Sequence, residues 1–346
     1  MGSTTKRYDI LDEANQGFKV YHVEEMKDLF EGREELPSYR MFSTKWGENG
    51  HIGLKRIEDE YNRSWYSCIK ERWMKKKPKH EMFFYRGNII GRKEAFETAD
   101  QVSKALLALG VKKGDEIPCC MANVPAVGFL MLGANQIGAK LNCFGGHYDP
   151  AFIKVILKET TDKILFVTDD EYDKIKDIVA KSGVKKVVVI SLADYLPKDL
   201  SKCKEYEEDF DKYYHHDKKA VDYVAKNKKT HMTWFQFLDK SAKFKGIIED
   251  DNDLDTEFLV TYTSGSTRIG FPKREVHRNR SLITVGVFHA PELCGNPAAQ
   301  NLRGLALIHT DSDTDLISTI SDSLFQGWSV AFEPEYDRDD FLILAS

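Results

Sequence analysis

Past Phe83 the apolar positions of this chain alternate between two rhythms, a helical spacing of three or four and short unbroken runs. Glu94 to Leu109 sets Ala95, Ala99, Val102, Leu106 and Leu109 on one face, and Gly110 stands where such a helix ends. A strand-like run from Glu116 to Met121 follows the turn Lys113-Gly114-Asp115. The units then repeat: a nearly all-apolar helix over Pro125 to Ile137, a strand over Ala139 to Phe144, and a helix over Phe152 to Lys158. Asp149 is placed to cap that helix, with Pro150 in its first turn. Ile164 to Thr168, Asp170 to Ser182 and Lys186 to Ile190 read as strand, helix and strand.

Apolar strands alternating with amphipathic helices predict an α/β fold with mostly parallel sheets covered by helices on both faces. The rhythm lapses between about 192 and 250, where charges of both signs and many tyrosines suggest an insertion of exposed helices, and it resumes with Phe258 to Thr263. A later strand ending at His309, a helix carrying Leu316, Ile317, Ile320 and Leu324 on one face, Gly327, and a strand Ser329 to Glu333 extend it. The expected organisation is an N-terminal extension over 1–80, a first α/β subdomain over 81–191, the charged insertion over 192–250, and a second α/β subdomain over 251–346.

Composition narrows the function classes. A net charge of -5 lacks the concentrated basic face that duplex binding requires, and the one cluster, Lys75 to Lys79, reads as a solvated helix end or linker. The chain has no apolar run of about 18 residues and no hydrophobic segment behind Lys6-Arg7, so no membrane span, no secretory signal and a cytoplasmic location are expected. Six cysteines without C-x-x-C spacing read as reduced core thiols. His215-His216-Asp217 is not taken as a metal site, because adjacent side chains in a regular segment point apart. Asp311, Asp313 and Asp315 imitate the start of a calcium loop, but Leu316 replaces its glycine and Asp322 its glutamate. No metal site is assigned.

The candidate chemistry lies in "TYTSGSTRIGFPKREVH", Thr261 to His277. A strand that runs into Ser264-Gly265-Ser266-Thr267 presents small hydroxyls and backbone N–H groups where open α/β sheets bind ligands, and Lys273 adds a mobile cation suited to phosphate. Gly265 to Gly270 satisfies the G-x-x-x-x-G part of a P-loop, but Phe271-Pro272-Lys273 then replaces Gly-Lys-Ser, and proline cannot donate an amide.

Tyr262, Thr263, Ser264, Gly265, Ser266 and Thr267 in order, then Pro272, Lys273 and Val276 after a gap, resemble the phosphate-binding signature of the adenylate-forming enzymes, and in particular the acyl-CoA synthetases. Arg268-Ile269 is inserted before the matching Gly270, and Arg274-Glu275 stands where that family usually has a single small residue. The stretches from Leu106 to Asp170 and from Gly304 to Ile343 also resemble the family's N-terminal half.

The resemblance implies ATP, Mg and coenzyme A as cofactors of a complete enzyme. Such an enzyme joins a small-molecule carboxylate to AMP, releases pyrophosphate and passes the acyl group to a thiol. It implies that Thr263, Ser264, Gly265, Ser266, Thr267, Gly270 and Lys273 hold the ATP phosphates and that His309 lines the acyl pocket. The family's adenine-binding block and catalytic lysine have no counterpart before the terminal "DDFLILAS", which reads as a helix cut short. The chain is therefore expected to be an N-terminal portion, inactive alone. Two other readings stay open at this point: a non-catalytic interaction protein on the same half-fold, and an unrelated α/β nucleotide-binding protein.

Overall fold

Every residue of Ile164–Thr168 is buried, as is possible for an interior strand of a parallel sheet with helices on both faces. The computed structural model describes residues 57, 60–75, 77–160, 164–198, 207–263, 272–293 and 302–334, all within the unit Lys55–Ser346. Strands β1 (Glu81–Tyr85), β2 (Asn88–Gly91), β3 (Glu116–Cys120), β4 (Lys140–Cys143), β5 (Ile164–Thr168), β6 (Lys186–Ile190), β7 (His231–Thr233), β8 (Glu257–Tyr262), β9 (Arg274–Arg278), β10 (Arg303–Ala306) and β11 (Ser329–Phe332) form two sheets. The larger has the order β7-β6-β5-β3-β4-β8-β9, and the smaller β10-β11-β1-β2.

In the larger sheet every neighbouring pair is parallel except β8 and β9. Strand β3 leads to β4 on one side, while β5 leads to β6 on the other. The carboxyl ends of β3 and β5 therefore flank the point where connections reverse direction, which is where such sheets hold ligands.

Between β3 and β4 runs helix α1 (Pro125–Gln136), buried at every residue, with Pro125 in its first turn. A helix apolar all round must be enclosed. It touches β1 of the smaller sheet and β4 of the larger. Phe129 meets Phe83 of β1 edge to face at 5.2 Å. Gly128 permits this approach, since a Cβ there would sit 2.4 Å from the Phe83 ring.

The smaller sheet closes on a hairpin whose two turn residues, Arg86 and Gly87, have φ of 48° and 82°. Both fall in the left-handed region that two-residue hairpins require. The Arg86 guanidinium, fully buried, bonds to Glu333 just past β11 and to the Tyr213 hydroxyl at 3.3 Å.

The charged stretch after β6 contributes more than exposed helices. Its short strand β7 pairs with β6 as the sheet's edge, and Trp234 and Phe237 just beyond it are fully buried. A strand of three residues is too short to show a period of two.

Asp194, in the turn after β6, accepts the Ser191 N–H at 2.9 Å. Burial pushes its carboxyl up from the ordinary 3.8 to about 7, against the lowering effect of the Ser191 bond. The folded state thus holds a proton that the unfolded chain releases near pH 4, and stability falls as pH rises from there to about 7, then levels. Asp194→Asn, which keeps the accepting oxygen, is expected to raise Tm by a few degrees at pH 8 and to leave it nearly unchanged at pH 4, as thermal melts at the two pH values would show.

Candidate functional site

The hydroxyl-rich stretch joins β8 to β9, so its two ends are held side by side as a hairpin. Ser264, Gly265, Ser266, Thr267 and Gly270 lie outside the described residues. Thr263 and Lys273, the ends that are described, are clamped by two bonds: the Thr263 N–H donates to the Lys273 carbonyl at 2.9 Å, and the Lys273 N–H to the Thr263 hydroxyl at 3.0 Å. Lys273 itself is exposed.

The hairpin is fixed to the sheet by the residues that depart from the family pattern as well as by those that match it. The Tyr262 hydroxyl donates to Asn142 Oδ1 at 3.0 Å, and Asn142 Nδ2 donates to Glu116 Oε1 at 2.6 Å. Arg274 donates to the other oxygen of Glu116 at 2.6 Å. The Tyr262 ring packs edge-on against Phe152 at 5.2 Å. Glu275 follows on β9, with Val276 and His277.

Two chain segments converge opposite the hairpin, at the carboxyl edge of the larger sheet. The turn after β4 supplies His147 and Tyr148, and the stretch after β10 supplies Asp311, Ser312 and Asp313. Together with Tyr262, Thr263, Pro272 and Glu275 they line a cleft of about 670 Å³. The stretch after β10 is tied across the sheet edge by the Thr310 hydroxyl, which donates to the Met121 carbonyl, and by Asn123 Nδ2, which donates to the Ile308 carbonyl at 2.5 Å.

His309 stands beside this cleft. Its Nδ1 lies 2.9 Å from Asp311 Oδ1, and its Nε2 lies 3.3 Å from Oε1 of Glu171, which sits just past β5. Burial works against its charged form, but the bonds to Asp311 and Glu171 outweigh it and raise the imidazole to about 10. Glu171, although buried, is drawn down to about 2 by His309 and Lys174. The group is an imidazolium between two carboxylates.

Away from the cleft, the rings of His215 and His216 lie 4.3 Å apart, closer than neighbouring side chains on a regular segment are expected to be. His216 Nδ1 contacts Asp169 Oδ2 at 2.5 Å, which draws that ring inward.

Of the residues read from sequence, Thr263, Lys273 and His309 are thus placed around one sheet edge. Sequence reasoning did not single out His147, Glu171 or Glu275 as site residues, although a histidine directly after the Gly145-Gly146 pair was a usable signal for the first.

Residues 70–314 match the family model described as AMP-binding enzyme. The chain belongs to this family. Among curated AMP-binding enzymes, the acetyl-coenzyme A synthetase of Pseudoalteromonas translucida is 28% identical over 148 residues, covering 41% of this chain and 23% of that one. The acetyl-coenzyme A synthetase of Campylobacter jejuni is 23% identical over 301 residues, covering 80% and 39%. The chain thus spans well under half the length of these relatives.

Solved structures agree on the fold. ATP-bound MatB from Rhodopseudomonas palustris superposes with a TM-score of 0.60 at 16% identity, covering 82% of this chain and 47% of that one. The N-terminal domain of FACL13 from Mycobacterium tuberculosis gives 0.56 at 15% identity, covering 82% and 60%. The α/β architecture with mostly parallel, helix-covered sheets is that of the N-terminal domain of adenylate-forming enzymes. No helix among the described residues is long and apolar enough to cross a membrane.

Proposed function

We propose that this chain forms the phosphate-holding part of an AMP-forming acyl-CoA synthetase, in which a carboxylate attacks the α-phosphorus of ATP, pyrophosphate leaves, and the acyl group passes to the thiol of coenzyme A. The observation that carries this reading is the clamped base of the hairpin: Thr263, on the cleft wall, is bonded to Lys273 at the two ends of the hydroxyl- and glycine-rich sequence, on the ligand-binding edge of the sheet.

In this reading the loop hydroxyls of Ser264, Ser266 and Thr267 and the backbone N–H groups at Gly265 and Gly270 donate to the β- and γ-phosphate oxygens. Lys273 neutralises charge that builds on the departing pyrophosphate. The contribution is positioning and electrostatics, without proton transfer by these groups. Thr263 holds the loop's base through its bond from the Lys273 N–H. Arg274, through Glu116 and Asn142, keeps Tyr262 and so the start of the loop in register.

His309, fixed by Asp311 and Glu171, stands beside the cleft, where its ring can border the acyl group of the substrate. Mg would accompany the ATP phosphates. It takes oxygen ligands, and Glu275 and Asp313 supply carboxylates on the cleft wall of the kind it accepts.

The test is carboxylate-dependent pyrophosphate release by the longest gene product that contains this chain, over acids from acetate to long-chain fatty acids. Release with the small acids, in keeping with the acetyl-coenzyme A synthetase relatives, is the expected result. No release with any acid, from a product that folds and spans the length of those relatives, would refute the assignment.

A further inference from the structure

Three side chains at this sheet edge have a geometry that phosphate binding does not use. One ligand atom from each of His147, His309 and Asp311 lies within 4.8 Å of the other two. His309 Nδ1 is 2.9 Å from Asp311 Oδ1, and His147 Nε2 is 3.5 Å from Asp311 Oδ2. Ligands bound at zinc distances on a tetrahedral ion lie roughly 3.3–3.5 Å apart, a range close to the two histidine–aspartate contacts.

The surroundings are built as they are around bound metals. A ligating imidazole generally donates its second N–H to a carboxylate that fixes its tautomer and orientation. His309, with Nδ1 toward Asp311, turns Nε2 to Glu171 at 3.3 Å. Glu171 is only 2% exposed and is held in turn by the Gly146 N–H at 2.9 Å and by Lys174 at 2.5 Å. The Gly145-Gly146 turn leaves room for the whole group. A Cβ on Gly145 would lie 2.3 Å from the His147 ring and 2.8 Å from Asp311 Oδ2, and one on Gly146 would lie 2.3 Å from Glu171 Oε2.

We propose that His147, His309 and Asp311 form a three-ligand site for Zn²⁺, with Glu171 as the carboxylate behind His309. Two imidazoles and one carboxylate select zinc and its transition-metal neighbours over Mg²⁺ and Ca²⁺, which take oxygen. His147, 60% exposed, and Asp311 on the cleft wall leave the ion open toward the cleft, so its remaining position faces an anionic oxygen of whatever occupies it. The site shares His309 with the role given to it above, zinc taking the place of the Nδ1 proton that His309 directs at Asp311, and it does not involve the phosphate-holding hairpin. A second group, Glu275, His277 and Asp313, is more exposed, and its histidine is bonded to the Thr261 hydroxyl at 3.0 Å instead of to a carboxylate. It is not proposed as a zinc site.

The experiment is calorimetric titration of the metal-stripped chain with Zn²⁺ and with Mg²⁺, together with visible absorption on adding Co²⁺ as a spectroscopic substitute. The expected result is one Zn²⁺ per chain, no comparable Mg²⁺ binding, and d–d absorption bands from Co²⁺ that excess Zn²⁺ removes. His147→Ala, on an exposed side chain that the fold does not need, is expected to weaken Zn²⁺ at least tenfold, and Glu171→Gln to weaken it about 10–100-fold. His215→Ala is expected to change nothing. The proposal is overturned if the chain takes up no stoichiometric Zn²⁺, if His147→Ala binds as tightly as the parent, or if the zinc is lost in His215→Ala.

Discussion

Glu333→Ala is expected to destabilise the chain by about 3–5 kcal/mol, the largest effect of any single substitution considered, because it removes the carboxylate bonded to a buried guanidinium. Arg86 is 0% and Glu333 2% exposed at the side chain, so water screens neither. Arg86 also faces the Tyr213 ring at 5.1 Å from its centroid, on the helix Glu207–Lys226. The pair therefore ties the β1–β2 hairpin, that helix and the end of β11 together, and it holds Arg86 at its positive φ. Removing both charges by Arg86→Met with Glu333→Leu is expected to recover part of the loss, since neither charge of the pair is then left buried without the other. Urea unfolding of the parent, the single variant and the double variant measures this. A Glu333→Ala variant within about 1 kcal/mol of the parent would show that the pair is not a closed unit.

Lys273→Ala is expected to weaken triphosphate binding about 10–100-fold, the loss of one charge-assisted contact of about 1.5–3 kcal/mol. The side chain is exposed and its backbone bonds to Thr263 do not depend on it, so the fold should not respond. Lys273→Arg should restore part of the affinity, because the charge returns in a bulkier shape. A similar loss from Lys240→Ala, remote from the cleft, would mean that only net charge is being read.

The sheet interior was legible because burial on both faces leaves an unmistakable run. Ile164–Thr168 and Lys186–Ile190 match the sequence reading to the residue. Edges were not. Strand β9, Arg274 to Arg278, alternates exposed with half-buried residues, so its charges resemble a loop until β8 pairs with it. Strand β10 stops at Ala306 instead of His309, because the following residues leave the sheet to bond Met121 and Asn123 across its edge. The helix predicted through Leu316 and Leu324 begins as a π-helix, Thr314–Ser321, whose wider turn no apolar spacing of three and four announces.

The site divides the same way. The hairpin loop is contiguous in sequence and carries its own signature, so it could be read directly. The His147, Glu171, His309 and Asp311 group comes from three separate segments that meet only because β3, β4 and β5 reverse their connections there. A single sequence gives no sign of which histidine will meet which carboxylate across 138 residues.

Calorimetric titration of this chain with ATP, inorganic triphosphate and AMP tests the central claim most directly. If the hairpin is a phosphate-holding element, triphosphate binds about as tightly as ATP, AMP binds at least tenfold more weakly, and Lys273→Ala lowers the first two affinities together. AMP binding as tightly as ATP, or ATP affinity unmoved by Lys273→Ala, would contradict the account.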